Sequence, residues 1–366
     1  EEKMKRKLGI SIYPEKSTVE KDKEYIEKAH KYGFSKIFTC LLSVDKPIEI
    51  IKKEFIEIID FADKLGMEVI LDISPAVFDK LNISYNDLSF FKELGAAGIR
   101  LDLGFDGLKE AQLTYDKTDL KIELNMSNDI DYLNNILSYT PNKDNLIGSH
   151  NFYPQKYTGL EYGYFLRCSR RFKEKGIRTS AFISSQAASF GPWSINDGLC
   201  TLEMHRNLPA AVQAKHLWAT GLIDDVVIGN AYASEEELKA LGELNPYLLE
   251  LDVELENGIS DVEKKILFQE NHLRRGDISE YMIRSTEVRK RYTGADIPAR
   301  NYDSQKIGDI VIGNNEFGKY KGETQVVIKD MPADSRKNRA GKVIEEELFL
   351  LSFIGPWINF KFKEKK

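Results

Sequence analysis

Asp72, Asp102 and Glu123 each stand near the close of a short apolar run, in MEVILDIS, AGIRLDLG and LKIELNMS. A fourth carboxyl, Glu203, lies with His205 and Arg206 in DGLCTLEMHR. Carboxyls converging from separate elements suit acid–base chemistry, because a shared, partly dry environment pushes their proton affinities apart. Arg100 and Asp102 are two residues apart, as are Glu123 and Asn125, so on a strand each pair faces one way. Ser74, Ser127, His150, Asn151, Tyr153, Ser184 and Ser185 close the corresponding runs. An inward carboxylate costs several kcal/mol unless paired or hydrogen-bonded, and the alternative reading is a structural ion pair, Asp102 with Arg100 for example. Glu203, His205 and Arg206 offer an acid, a titratable base and a guanidinium able to grip phosphate. A loop tied down by its own ion pairs has the same signature.

Other chemistries lack their motifs. The five histidines, at 30, 150, 205, 216 and 272, form neither HxH nor HExxH, so no metal is expected, and no other cofactor is called for. Ser184 and Ser185 have no GxSxG context and no identifiable base, which disfavours a serine nucleophile. A barrel aldolase or isomerase acting on a sugar phosphate would want a lysine at the C-terminal end of a strand, and none is found there. A non-catalytic carbohydrate-binding protein would have little use for so many acidic groups.

The elements that must position these residues follow a regular rhythm. Strand-length runs at 8–14, 35–42, 67–74, 97–104, 120–127, 146–154, 177–185 and 224–230 alternate with helical segments. Within residues 47–65, Ile48, Ile51, Phe55, Ile58, Ile59 and Ala62 recur on one helical face. Glycine closes several of these segments, in KYGFS, KLGME and KEKGIR, as expected of helix C-caps. Eight βα units predict an α/β chain whose parallel strands close into a (β/α)8 TIM barrel. A doubly wound sheet would carry a glycine-rich phosphate turn after its first strand, whereas Tyr13, Pro14 and Glu15 follow Ile12. The barrel is expected over residues 1–245, a linker over 246–262 and a small β-rich domain over 263–366, where YMIRST, GDIVIGNNEFG, GETQVVIKD and FIGPWINFKF read as short strands.

Bulk properties narrow the class. With 42% hydrophobic and 30% charged residues the chain is globular in type. Residues 263–366 hold 21 Lys and Arg against 16 Asp and Glu, so the acidic excess belongs to the barrel, which lacks the footprint of a nucleic-acid binder. Three scattered cysteines give no disulfide framework. No signal-like apolar stretch precedes Pro14, and no apolar run approaches membrane-spanning length. A cytoplasmic enzyme that engages no membrane is expected.

Several motifs together, LGISIYPE, LDISP, GIRLDLGF, LNMS, NFYPQKYTGL, GLCTLEMHR and IPARN with GDIVIGN, run in order along nearly the whole chain. In this the sequence resembles the 6-phospho-N-acetylmuramidases. It departs from their loop pattern at Asp197 and Cys200. The resemblance implies a (β/α)8 barrel joined to a cyclophilin-like β-barrel. It also implies hydrolysis of a phosphorylated amino-sugar disaccharide, MurNAc-6-phosphate-β-1,4-GlcNAc, in cell-wall recycling.

Glycoside hydrolysis by paired carboxyls then gives the residues roles. Glu203 is the first choice for the general acid, on the expectation that loop closure desolvates it and raises its pKa. Asp102 is its partner, with Asp72 and Glu123 as competitors, and retention or inversion stays open. Arg100, Arg206 and Arg300 are candidates for the phosphate. Asn125, His150, Asn151, Tyr153 and His205 are candidates for the sugar's polar groups, and Tyr13 or Trp193 for stacking on a ring face. If Arg300 reaches the barrel mouth the second domain completes the pocket; otherwise that domain stabilises the chain or forms a homodimer.

Overall fold

The computed structural model describes residues 5–41 and 46–365, which divide into two compact units, 1–244 and 245–366. In the first, β1 (Leu8–Ile12), β2 (Lys36–Leu41), β3 (Glu68–Ile73), β4 (Gly98–Leu101), β5 (Lys121–Asn125), β6 (Leu146–Ser149), β7 (Arg178–Ile183) and β8 (Asp225–Ile228) pair in parallel and in order. The pairing of β1 with β8 closes the barrel. Each strand falls within its expected run; Leu42, the last residue of the second run, lies outside the described residues.

Local sequence explains the alternation. The helix Val19–Lys31 starts at Thr18, whose hydroxyl accepts from the Lys21 N–H at 3.3 Å, a capping bond that satisfies one orphan donor. It ends before Gly33, at φ +86°, and the helix Ile48–Lys64 ends before Gly66, at φ +73°. A Cβ at either glycine would meet nothing within 4 Å, so the requirement is conformational, a left-handed turn that sends the chain into the next strand. Ile51, Phe55, Ile58, Ile59 and Ala62 are the buried face of the second helix, as their spacing predicts. No helix among the described residues is long and apolar enough to cross a membrane.

The second unit is a seven-stranded sheet that curls into a nearly closed barrel. Its strands are β9 (Leu249–Leu255), β10 (His272–Leu273), β11 (Met282–Ser285), β13 (Asp309–Gly313), β14 (Thr324–Val327), β16 (Lys337–Val343) and β17 (Asn359–Glu364), in the order β10-β17-β9-β16-β13-β14-β11. A two-stranded ribbon, β12 (Ser304–Gln305) with β15 (Met331–Pro332), accompanies it. The expected linker over 246–262 is corrected here: β9 lies inside it and pairs with both β16 and β17. LELDVEL alternates apolar and acidic residues, and Leu251 and Val253 are fully buried, so the two-residue period of a half-buried strand was present in the sequence.

Candidate active site

The register of three neighbouring strands builds the site. Asp72 on β3 is paired with Arg100 on β4, and Arg100 with Glu123 on β5, so the three side chains occupy one level of the barrel and face the same way. Arg100 is almost wholly buried. Its Nη1 donates to Asp102 Oδ1 at 3.1 Å and to Asp72 Oδ1 at 3.5 Å, and its Nη2 to Asn151 Oδ1 at 2.5 Å. One guanidinium thus holds two carboxylates and an amide at the C-terminal mouth, the end of such barrels that carries chemistry.

The two aspartates differ in environment. The Asp72 side chain is 20% exposed and that of Asp102 50%. Burial is the main influence raising the Asp72 pKa to about 6, with the charges of Asp102 and Glu123 adding to it and Arg100 opposing. Two carboxyls on one cation, one half in solvent and the other driven toward its protonated form, meet the demand of acid–base catalysis. Asn125 supports the arrangement from the neighbouring strand. Its Nδ2 donates to the Asp102 carbonyl at 3.2 Å and its Oδ1 accepts from Ser127 N–H at 2.8 Å, so it fixes the chain that carries Asp102.

Glu123 belongs to the barrel interior. It is buried, its Oε2 lies 3.4 Å from Lys36 Nζ, and its Oε1 lies 3.9 Å from Arg100 Nε. Lys36 opens β2 and was not singled out in the sequence; it also lies 3.5 Å from Asp225. Burial works against its charge, but Glu123 and Asp225 together keep its pKa raised. It is therefore an interior counter-ion, not a nucleophilic amine.

Glu203 does not fit the part of a desolvated acid. Its Oε1 accepts from Tyr157 N–H at 2.7 Å and Arg206 Nε at 2.8 Å, and its Oε2 from Gly159 N–H at 2.7 Å and Arg206 Nη2 at 2.6 Å. The Arg206 guanidinium foremost, with the two main-chain N–H groups, lowers its pKa to about 2. A carboxylate so fully bonded stays ionised and clamps the loop after β6 to the loop after β7. Arg206 completes the clamp, with Nη1 donating to the Tyr153 and Gly198 carbonyls at 2.9 and 3.2 Å, and Tyr153 N–H bonds the Cys200 carbonyl at 3.1 Å. Replacing Glu203 with glutamine is expected to lower stability by about 1–3 kcal/mol, because Arg206 is left buried without its counter-charge, while turnover at saturating substrate stays within roughly tenfold of the parent. Thermal unfolding and an activity assay on the same preparation check both halves.

Both loop and strand histidines face away from the mouth. His150 is fully buried between Ser127 Oγ, 3.0 Å from Nδ1, and Ser169 Oγ, 2.8 Å from Nε2, with its ring 4.8 Å from that of Phe165. Burial lowers its pKa to about 3. His205 Nε2 lies 2.6 Å from His216 Nδ1, and burial followed by the His216 charge holds its pKa well below the usual imidazole range. Neither presents an edge to a ligand at the mouth.

Tyr13 is 2% exposed and donates its hydroxyl hydrogen to the Gly229 carbonyl, so it has no free ring face. Trp193 is 52% exposed. It packs at 5.8 Å on Phe152, which meets Phe182 and Phe38 at 5.0 and 5.9 Å, an aromatic column that braces the indole. Arg300 lies in the second unit, where its guanidinium pairs with Glu263 and donates to the Arg339 carbonyl at 3.0 Å.

Barrel and mouth together define the class: a (β/α)8 barrel whose C-terminal mouth gathers carboxyls on an arginine. The chain belongs to the 6-phospho-N-acetylmuramidase family, whose N-terminal domain it matches over residues 8–243 and whose C-terminal domain over residues 249–363. Among solved structures it is similar to an uncharacterized B. cereus protein, with 62% identity, TM-score 0.93, and coverage of 99% of this chain and 100% of that one. It is also similar to a conserved protein of unknown function from a locus in Enterococcus faecalis, with 26% identity, TM-score 0.73, and coverage of 98% and 96%. Comparison with curated proteins gave no match. Membership of this family supports a glycoside hydrolase acting on a phosphorylated muramic-acid sugar.

Proposed function

We propose that the chain hydrolyses the β-1,4 bond of MurNAc-6-phosphate-GlcNAc during cytoplasmic recycling of cell-wall sugars, with Asp72 as general acid and Asp102 as nucleophile. The observation that carries this reading is the shared guanidinium of Arg100. It donates to Asp102 at the solvent side while Asp72, deeper, has its pKa raised to about 6. Asp72 gives its proton to the leaving GlcNAc oxygen as Asp102 attacks the anomeric carbon. Water, deprotonated by Asp72, then releases MurNAc-6-phosphate. Nη1 lies 3.5 Å from Asp72 Oδ1 and 3.1 Å from Asp102 Oδ1, so these two oxygens can be no farther apart than about the lower end of the ~6.5–9.5 Å range of inverting pairs, which favours retention.

The terminal nitrogens of Arg100 and the whole guanidinium of Arg206 are committed to protein acceptors, and the Arg100 Nε is buried away from solvent. The 6-phosphate is therefore assigned to the hollow of about 580 Å³ that exposed Lys156 lines beside Tyr157 and Arg206, a lysine serving as a point charge for phosphate; Asp197 and Glu203 also line it, the first accepting from Lys156 N–H at 3.1 Å and the second held by Arg206. Trp193 offers a ring face for sugar stacking. Rates of GlcNAc release from MurNAc-6-phosphate-GlcNAc and from MurNAc-GlcNAc test the assignment. The phosphorylated disaccharide is expected to be preferred by at least about tenfold in kcat/KM, as one charge-assisted contact implies. Equal rates remove the phosphate site, and no release from either removes the hydrolase.

A further inference from the structure

The end of the barrel opposite the mouth is also built as a site. A cavity of about 910 Å³ opens there, lined by Lys36, Glu68, Lys121, Leu146, Arg178 and Asp225, the first residues of six of the eight strands. Its size is that of a pocket for a small metabolite.

Its charge is unbalanced. Five lysines and one arginine line it against three carboxylates. Lys7 is paired with Glu68 at 2.7 Å, and Arg178 with Asp225 at 2.5 Å. Two of the remaining lysines meet only uncharged oxygens among the described residues. Lys121 Nζ donates to the Asp144 carbonyl at 2.8 Å and the Asn145 side-chain oxygen at 3.0 Å, and Lys143 Nζ to the Lys175 carbonyl at 2.7 Å. Such bonds fix the direction of an ammonium group without cancelling its charge, and each group keeps a hydrogen for a further acceptor. Fixed, uncancelled cations in a concave site with low-dielectric walls focus potential on an anion.

The cavity is also joined to the mouth. Arg178 and Lys36 share Asp225, at 2.5 and 3.5 Å; Lys36 reaches Glu123 at 3.4 Å; Glu123 reaches Arg100 Nε at 3.9 Å; and Arg100 holds Asp102 and Asp72. Charges of alternating sign therefore run the depth of the barrel, and Arg100 Nε has no hydrogen-bond acceptor of its own, so its hold on Glu123 is the loosest step of the column.

We propose that this cavity binds a phosphorylated small molecule through Lys121, Lys143 and Lys36, and that the occupant tunes the carboxylates at the mouth through the ion-pair column. A phosphate drawn to Lys36 competes with Glu123 for that ammonium, which frees Glu123 to draw on Arg100 and slackens the guanidinium's grip on Asp72 and Asp102. The binding half stands on the cavity alone; the tuning half rests on the reading that those two aspartates react.

Calorimetric titration of the full chain with inorganic phosphate, for the parent and for the Lys121→Gln/Lys143→Gln double variant, tests the first half. The expected result is a phosphate-binding event in the parent, separate from any at the Lys156 hollow, that weakens at least tenfold in the variant, with circular dichroism unchanged. Identical isotherms, or no binding to the parent, overturn it. For the second half, phosphate is expected to change kcat in the parent and not in the variant, whereas simple competition at the mouth would raise KM equally in both. An unaltered kcat in the parent overturns the coupling. Absence of any turnover would count against the hydrolase reading and leave the titration result standing.

Discussion

Asparagine in place of Asp72 is expected to lower kcat/KM for MurNAc-6-phosphate-GlcNAc by about 10²–10⁴-fold, the usual contribution of a positioned acid, and to leave the protein folded. The amide fills the same volume and can still meet Arg100, so the barrel loses no packing. What it lacks is a proton of suitable acidity. The pH dependence gives the same residue a second signature. With its pKa raised to about 6, chiefly by burial, Asp72 is protonated below that pH and loses its proton above it. In the parent, kcat/KM should therefore fall as pH rises through about 6, and in Asp72→Asn the residual activity should lack that fall. A parent profile flat between pH 5 and 8, or an unimpaired variant, would assign the acid elsewhere.

Removal of the Asp102 carboxyl is expected to cost more, on the order of 10⁴-fold in kcat, the scale seen when a group that forms a covalent intermediate is deleted. Its side chain is half exposed and its main chain is braced independently by Asn125, so Asp102→Gly should unfold at nearly the parent temperature. Arg100 would keep Asp72 and Asn151 as partners. Loss of turnover in a stable protein is therefore chemical in origin, and it separates Asp102 from Glu203, whose replacement should do the reverse.

Much of the barrel was legible in the sequence because strands buried on both faces read as apolar runs, and because a left-handed turn after several helices calls for glycine, as at Gly33, Gly66 and Gly176. The mouth was legible in part. Parallel register carries Asp72 and Arg100 to one level, and Asp102 and Asn151, farther along their own segments, reach the same guanidinium from the mouth side. Strand alternation also placed His150 out of phase with Ser149 and Asn151, which announced that it faces the helices. The role of Glu203 was less visible. Its partner Arg206 stands three residues away in the sequence, but the N–H groups of Tyr157 and Gly159 come from a loop some 45 residues earlier. No local pattern encodes that meeting. Lys36 escaped notice because it opens its strand at the end opposite the chemistry, and only closure of the barrel sets it beneath Glu123.

In the proposed reaction Asp102 attacks the sugar while sharing Arg100 with the acid. Azide added to Asp102→Gly tests it most directly, since a small anion can occupy the vacated carboxylate site while Asp72 still protonates the leaving oxygen. The predicted result is that consumption of MurNAc-6-phosphate-GlcNAc, lost in the variant, returns with azide and yields a glycosyl azide of configuration opposite to the substrate. Turnover of the variant at the parental rate without azide would contradict it.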